Sequence, residues 1–291
     1  MTKKFIPESE LIINPDGSVF HLHLRPEQLA DNIIVVGDPG RVNMVASFFD
    51  ARDFEVSSRE FHTIGGTYGG KRLMCLSHGI GSDNIDIVLT ELDALANVDF
   101  PTRTVKEQKR QLTIVRIGTS GSLQPDLLIG TPVIAAKAIG FDGVLNYYAG
   151  RNQVCDLSFE KAFCDHVKWN PLLARPYVVD ADAELVERVG RDDMVRGCTV
   201  SAAGFYGPQG REVRLPIAEP MLNERMSAFG YQGHRVTNYE MEGAALQGMS
   251  KLMGHKAMTV CSIIANRESQ SATPNYKTAV QDLIATVLDR L

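Results

Sequence analysis

Apolar and polar positions along the chain switch between two periods. Residues 33–36 form a short apolar run that stops at Gly37, and residues 41–49 then repeat apolar positions at helical spacing. Residues 73–76 read as a second strand. After Ser82, a residue suited to an N-cap, Ile85, Val88, Leu89, Leu92 and Leu95 recur on one helical face. Residues 112–117 predict a strand ending in the small-residue loop Gly118-Thr119-Ser120-Gly121. Further strands are expected at 133–136, 199–202 and 257–265, and helices at 217–229, 243–253 and 276–291. Alternation of this kind implies an α/β fold, with a mostly buried sheet and helices on both faces. No Pro/Gly/Ser-rich linker, repeat or low-complexity segment interrupts it, which favours one domain over residues 1–291.

Composition narrows the function. The chain has 291 residues, 44% of them hydrophobic, enough for a sizeable core. Thirty basic against 35 acidic residues give a net charge of −5, which argues against a nucleic-acid partner held through its phosphates. No apolar run approaches the roughly 20 residues of a membrane helix. The opening MTKKFIPESE has charges but no apolar stretch of the kind a secretory signal needs. Cys75, Cys155, Cys164, Cys198 and Cys261 are scattered, with no C-x-x-C pair, so reduced thiols, no structural zinc and a cytoplasmic setting are expected.

Polar residues in apolar places carry the candidate chemistry. Arg116 sits inside the 112–117 strand, where an unpaired charge would cost several kcal/mol. Either a structural ion pair or an anion explains it. The adjacent Gly118-Thr119-Ser120-Gly121, with free N–H groups and hydroxyls, suits an anion at a sheet's carboxyl edge. Val36-Gly37-Asp38-Pro39-Gly40-Arg41 is another strand running into a glycine turn, and matches neither a dinucleotide nor a Walker loop. Together Arg41, Arg116 and Thr119 resemble a cradle for a small dianion. In Gly204-Phe205-Tyr206-Gly207-Pro208-Gln209-Gly210-Arg211, an aromatic, an amide and a guanidinium could stack on a planar heterocycle and bond its edge; a solvated loop with a buried aromatic anchor is the plainer alternative. Thr237-Asn238-Tyr239-Glu240-Met241-Glu242-Gly243 sets two acids at a helix start. They could complement the helix dipole, but Asn238 alone would cap it.

These segments, in this order with S-R-E-F and H-G-I-G between them, resemble the nucleoside phosphorylase-I family, most of all its uridine phosphorylases, over nearly the whole chain. The resemblance implies a three-layer α/β/α sandwich around a mixed, partly barrel-like sheet. It implies reversible phosphorolysis of uridine to uracil and ribose 1-phosphate, with inorganic phosphate as co-substrate and no further cofactor required. Gly37, Arg41, Arg116 and Thr119 match phosphate ligands, with Arg59 reaching in from a neighbouring subunit. Phe205 matches the base-stacking position, and Gln209 and Arg211 match the pair that bonds uracil. Glu240, Met241 and Glu242 match the ribose-binding segment, and His21 the residue contacting the 5′-hydroxyl across the interface.

Purine nucleoside phosphorylases and nucleosidases of the family are the nearest rivals. The purine-specific relatives carry an aspartate after the late strand, where this chain has Ala265-Asn266-Arg267. A nucleosidase, using water, would not need three arginines around an anion. A non-catalytic nucleoside sensor would be marked by loss of Arg41, Arg116 or Glu242, and all three stand. Hexameric relatives bind a monovalent cation with a glutamate, an isoleucine and a serine; here Glu60 and Ile80 fit, but Asn84 replaces the serine, which puts a potassium site in doubt. The basic segment 101–111 (PTRTVKEQKRQ) resembles the longer segment of dimeric relatives, so a homodimer is expected over a hexamer. Its charges are read as an exposed helix end rather than a binding surface.

Overall fold

The computed structural model describes residues 4–267, 271–272 and 276–291. In chain order the elements are β1 (Asn32–Val36), α1 (Pro39–Ala46), β2 (Ala51–Ser58), β3 (Phe61–Tyr68), β4 (Lys71–Ser77), α2 (Ser82–Asn97), β5 (Val98–Asp99), β6 (Thr104–Val105), β7 (Thr113–Ser122) and β8 (Pro132–Gly140). They continue as α3 (Arg151–Val154), α4 (Leu157–Val167), β9 (Tyr177–Asp180), α5 (Ala183–Gly190), β10 (Val195–Ser201), α6 (Leu222–Ser227) and β11 (Gly230–Tyr231). The chain closes with β12 (His234–Glu240), α7 (Gly243–Met253), β13 (Lys256–Asn266), β14 (Ser271–Ala272) and α8 (Lys277–Arg290). Among the described residues no helix is long and apolar enough to cross a membrane.

β1 shows why the strands read as solid apolar runs. Ile33 and Val35 pack into one core cluster with Ile85, Val88 and Leu92 of α2 and with Leu246 and Met249 of α7. Ile34 and Val36 face the other way, against Val42 of α1, Leu185 of α5 and Val280 and Ile284 of α8. A strand covered on both faces has no polar side to alternate with. Two helical layers therefore enclose the sheet.

The main sheet runs β2-β3-β4-β1-β7-β13-β8-β10-β12-β11, with β9 paired to β8 and β14 to β13. β1 is parallel to β4 and β7, whereas β8 is antiparallel to β13, so the sheet is mixed. β12 then returns to β7, pairing Asn238 with Ser122 and Tyr239 with Gly121. That contact closes β7, β13, β8, β10 and β12 into a barrel. The remaining strands stay open as a flat extension, so the partly barrel-like sheet is found as expected.

Several local expectations change. Gly118-Thr119-Ser120-Gly121 is not a loop: β7 continues through it to Ser122, held by β13 along its length. α2 begins at Ser82 itself, with Gly81 in the cap position and no side-chain cap. Of residues 217–229 only Leu222–Ser227 is helical. Segment 101–111 is no helix end. β6 pairs antiparallel with β5, and Arg103 Nε donates to the Ile6 carbonyl at 2.8 Å, tying down the N-terminal segment. Arg110 likewise reaches back to Asp31 (2.5 Å) and the Leu29 carbonyl.

Candidate active site

A cleft of about 1060 Å³ opens where β1, β7, β12 and β13 deliver their last residues. Gly37, Arg41, Arg116 and Thr119 line it, with Glu240 and Glu242 against Arg116, and so do Met241 and the Phe205, Gln209 and Arg211 group. All ten of these candidate positions thus share one cavity, together with Gly118, Ser120 and Gly121 of the small-residue segment. α1 starts beside it because Asp38 accepts a bond from Gly40 N (2.9 Å) and Pro39 occupies the first turn. That start places Arg41 with its Nη1 3.4 Å from the Ile117 carbonyl.

Arg116 is held by an ion pair with two carboxylates that line the same cleft. Its Nη1 lies 3.0 Å from Glu240 Oε2, and its Nη2 pairs with Glu242 Oε2. Nε donates to His78 Nε2 (3.1 Å), and Nη1 approaches Cys261 Sγ at 3.5 Å. Burial alone would lower the guanidinium's pKa, but Glu242 and Glu240 outweigh it and raise it. Cys261 is pushed up to about 12 by burial, so it faces Arg116 as a thiol. Gly118 makes this arrangement possible, because a Cβ there would lie 2.5 Å from Arg116 Nη1.

The two glutamates differ in what holds them. Glu240 accepts from Glu242 N (2.8 Å) and from Gly243 N (2.8 and 3.0 Å), and also from the Ser201 hydroxyl. It is thus the acid that caps the start of α7, while Asn238, which by its type could have done so, lies in β12 and bonds Thr199 and Ser120 across the barrel. Burial raises the Glu240 pKa, opposed chiefly by Arg116. Among the described residues Glu242 bonds Gly81 N (2.8 Å) and Arg116, which leaves lone pairs for a ligand.

Arg211 Nη1 donates to Gln209 Oε1 (2.7 Å) and to the Phe205 carbonyl, and its Cζ lies 3.8 Å from the Phe205 ring centroid. Phe205 is half exposed, at 51%, whereas Gln209 is buried. The aromatic is therefore a cleft wall rather than a buried anchor. Burial, then the nearby Arg267, lowers the Arg211 pKa. Arg267 was not singled out from the sequence. It stacks over Tyr239 (5.4 Å), and among the described residues its Nε and Nη2 are buried without partners. An arginine closing a long apolar strand, as Arg116 does within one, was the available signal.

His21 and Arg59 do not line this cleft. They meet elsewhere: Arg59 lies 5.7 Å from the Phe20 ring, which packs edge-on against His21 at 4.9 Å. Glu91 of α2 fixes the patch by accepting from His21 N (2.9 Å), Leu22 N (2.8 Å) and His21 Nδ1 (2.6 Å). Glu60, Ile80 and Asn84 do gather at the cleft rim around Gly79. The Asn84 amide nitrogen donates to the Ile80 carbonyl at 3.5 Å.

Comparison with known proteins agrees with this geometry. The profile of the Phosphorylase superfamily matches residues 31–290. The chain belongs to that superfamily. A uridine phosphorylase of Haemophilus influenzae is 30% identical over 91% of this chain and 92% of its own length. One of Thermococcus kodakarensis is 29% identical over 92% of this chain and 84% of its own. Among solved structures, a Trypanosoma brucei nucleoside phosphorylase that shows uridine phosphorylase activity superposes with a TM-score of 0.88 at 26% identity, covering 97% of this chain and 99% of that one. A Phytophthora capsici uridine phosphorylase shares the superfamily fold with a TM-score of 0.69 at 20% identity, over 99% and 98% of the chains.

Proposed function

We propose that this enzyme is a pentosyltransferase that catalyses the reversible phosphorolysis of uridine. The observation that carries the reading is a single cleft lined by Arg41, Arg116 and Thr119, by Glu242 paired to Arg116, and by the Gln209–Arg211 pair. Its uridine phosphorylase relatives support the same assignment. Phosphate would lie between Arg41, Arg116, Thr119 and the Gly37 turn, and Glu242 would accept from the ribose hydroxyls. A phosphate oxygen attacks C1′ from the face opposite the base. The C1′–N1 bond breaks, its electron pair leaves with uracil, and positive charge developing on the sugar is offset by phosphate and Glu242. Arg211 and Gln209 stabilise the departing anion, so no general acid is assigned. Ile264 and Ala265 line the cleft at the end of β13, where the purine-specific relatives place their acid. The product is ribose 1-phosphate.

The assembly follows from the same site. His21 and Arg59 lie together outside their own cleft, which supports a homodimer in which each completes the partner's site. Five free cysteines support a reducing, cytoplasmic setting. One sheet shared by both helical layers supports a single domain. The test is uracil release from uridine with and without inorganic phosphate, beside thymidine, inosine and adenosine. Release that needs no phosphate would identify a nucleosidase, and preference for inosine a purine enzyme.

A further inference from the structure

His78 follows β4 and is fully buried. It does not line the cleft, yet its Nε2 is 3.1 Å from Arg116 Nε. A guanidinium N–H only donates, so Nε2 presents its lone pair and the ring proton belongs on Nδ1. Burial, and then Arg116, holds the imidazole well below the usual histidine range, so the ring is neutral at pH 7. A Cβ on Gly37 would come within 3.7 Å of His78 Cε1, which places the ring directly beneath the β1–α1 turn.

The contacts of Arg116 are unequal in kind. Glu240 and Glu242 hold its two Nη groups from the cleft side, where a sugar and a phosphate compete for the same atoms. His78 holds Nε from a buried position outside the cleft lining. Two carboxylates already balance the guanidinium, so a third acid there would oppose an incoming dianion, and an imidazolium would repel Arg116. A neutral acceptor meets both constraints.

We propose that His78 is a positioning residue that anchors Arg116 by its Nε–H, keeping both Nη groups aimed into the cleft while substrates displace its glutamate contacts. The role rests on the phosphorolysis reading given above. It is tested by steady-state kinetics of His78→Phe, which fills the ring's space without an acceptor, and His78→Gln, whose amide oxygen replaces Nε2. The Phe variant should raise the phosphate KM about tenfold or more, as expected for one hydrogen bond to a charged group. Its uridine KM should move far less, and the Gln variant should recover most of the phosphate affinity. An unchanged phosphate KM in the Phe variant, or equal losses in both variants, would overturn the proposal. Nitrogen-15 NMR of the wild-type histidines gives a second measure that needs no variant to fold. A neutral ring protonated on Nδ1 is expected for His78, and an Nε2–H tautomer or an imidazolium at pH 7 would overturn the anchoring contact. If wild-type uracil release proves independent of phosphate, the reaction assignment fails on that result alone, and the tautomer still decides whether His78 anchors Arg116.

Discussion

Glu240 and Glu242 are two residues apart and chemically identical, yet their partners assign them different work. Glu240 spends its lone pairs on the α7 start, Ser201 and Arg116, whereas Glu242 keeps acceptor capacity facing the cleft. Glu242→Gln removes the charge that Arg116 sees with every substrate, so that loss is common to all of them. The difference between substrates isolates the sugar: uridine should lose about tenfold more kcat/KM than 2′-deoxyuridine, the worth of one charge-assisted bond to the 2′-hydroxyl. Equal losses would leave Glu242 a general electrostatic group. Arg211→Ala should cut uridine turnover by about 10²–10³, the effect of deleting one donor aimed at developing charge. Gln209→Ala should cost less and loosen discrimination between bases, and near-full activity of Arg211→Ala would refute a leaving-group role. Most of these residues were legible in the sequence because a charge within an apolar run needs a reason. Arg116 announced itself in that way, but its partners did not: no spacing rule brings His78, Glu240 and Glu242 around it, since the ends of β4 and β12 deliver them from distant parts of the chain. The division between the two glutamates was likewise hidden, because it depends on which backbone N–H groups lie within reach.

At the scale of elements, β7 is the part whose sequence was misread most usefully. Gly118-Thr119-Ser120-Gly121 has loop composition, but β13 on one side and β12 at its end keep it extended. Gly118 stands there because the Arg116 side chain lies against it. A Cβ on Gly118 would lie 2.5 Å from Arg116 Nη1, 3.1 Å from its Cζ and 3.0 Å from Cys261 Sγ, while one on Gly121 would meet only the Ala265 carbonyl at 3.8 Å. Gly118→Ala should therefore displace the guanidinium and cost about 1–3 kcal/mol of stability through overpacking, with a raised phosphate KM. Gly121→Ala should unfold at nearly the wild-type denaturant concentration. Urea titrations of the two variants check the stability difference, and similar midpoints would mean that β7 tolerates the extra carbon at both places. The strands and helices buried on both faces, such as β1, β13 and α7, were readable from their apolar periodicity. The β2–β3 hairpin was not: its outer strand β2 is exposed or half-buried throughout, and nothing in Ala51–Ser58 alternates strongly enough to mark it. In the 217–229 segment Ile217 and Ala218 line a second cavity from loop backbone, and only Leu222–Ser227 turns an apolar face to the core as a helix.

For the whole molecule, the proposed homodimer makes Arg59 the residue to test. Arg59 sits at the tip of the turn joining β2 to β3, with a left-handed φ of 55°, exposed and pointing its guanidinium to Phe20 rather than toward Arg41 and Arg116. A non-glycine residue in that conformation is uncommon and is usually kept for a purpose. If Arg59 and His21 act on the partner's site while Arg41, Arg116 and Arg211 act on their own, a two-fold dimer holds two composite sites. Homodimers of Arg59→Ala and of Arg211→Ala should each be nearly inactive, the first for want of phosphate binding and the second for want of leaving-group stabilisation. A mixed dimer would carry one doubly damaged site and one intact site. Random mixing of equal amounts makes half the dimers mixed, each with one good site of two, so about a quarter of wild-type activity should return. Co-expression of the two variants with distinguishable tags measures this, since the mixed species can be isolated and its share counted. Activity no higher than the average of the separate homodimers, in a preparation shown to contain mixed dimers, would return Arg59 to its own chain, as a surface arginine stacked on Phe20.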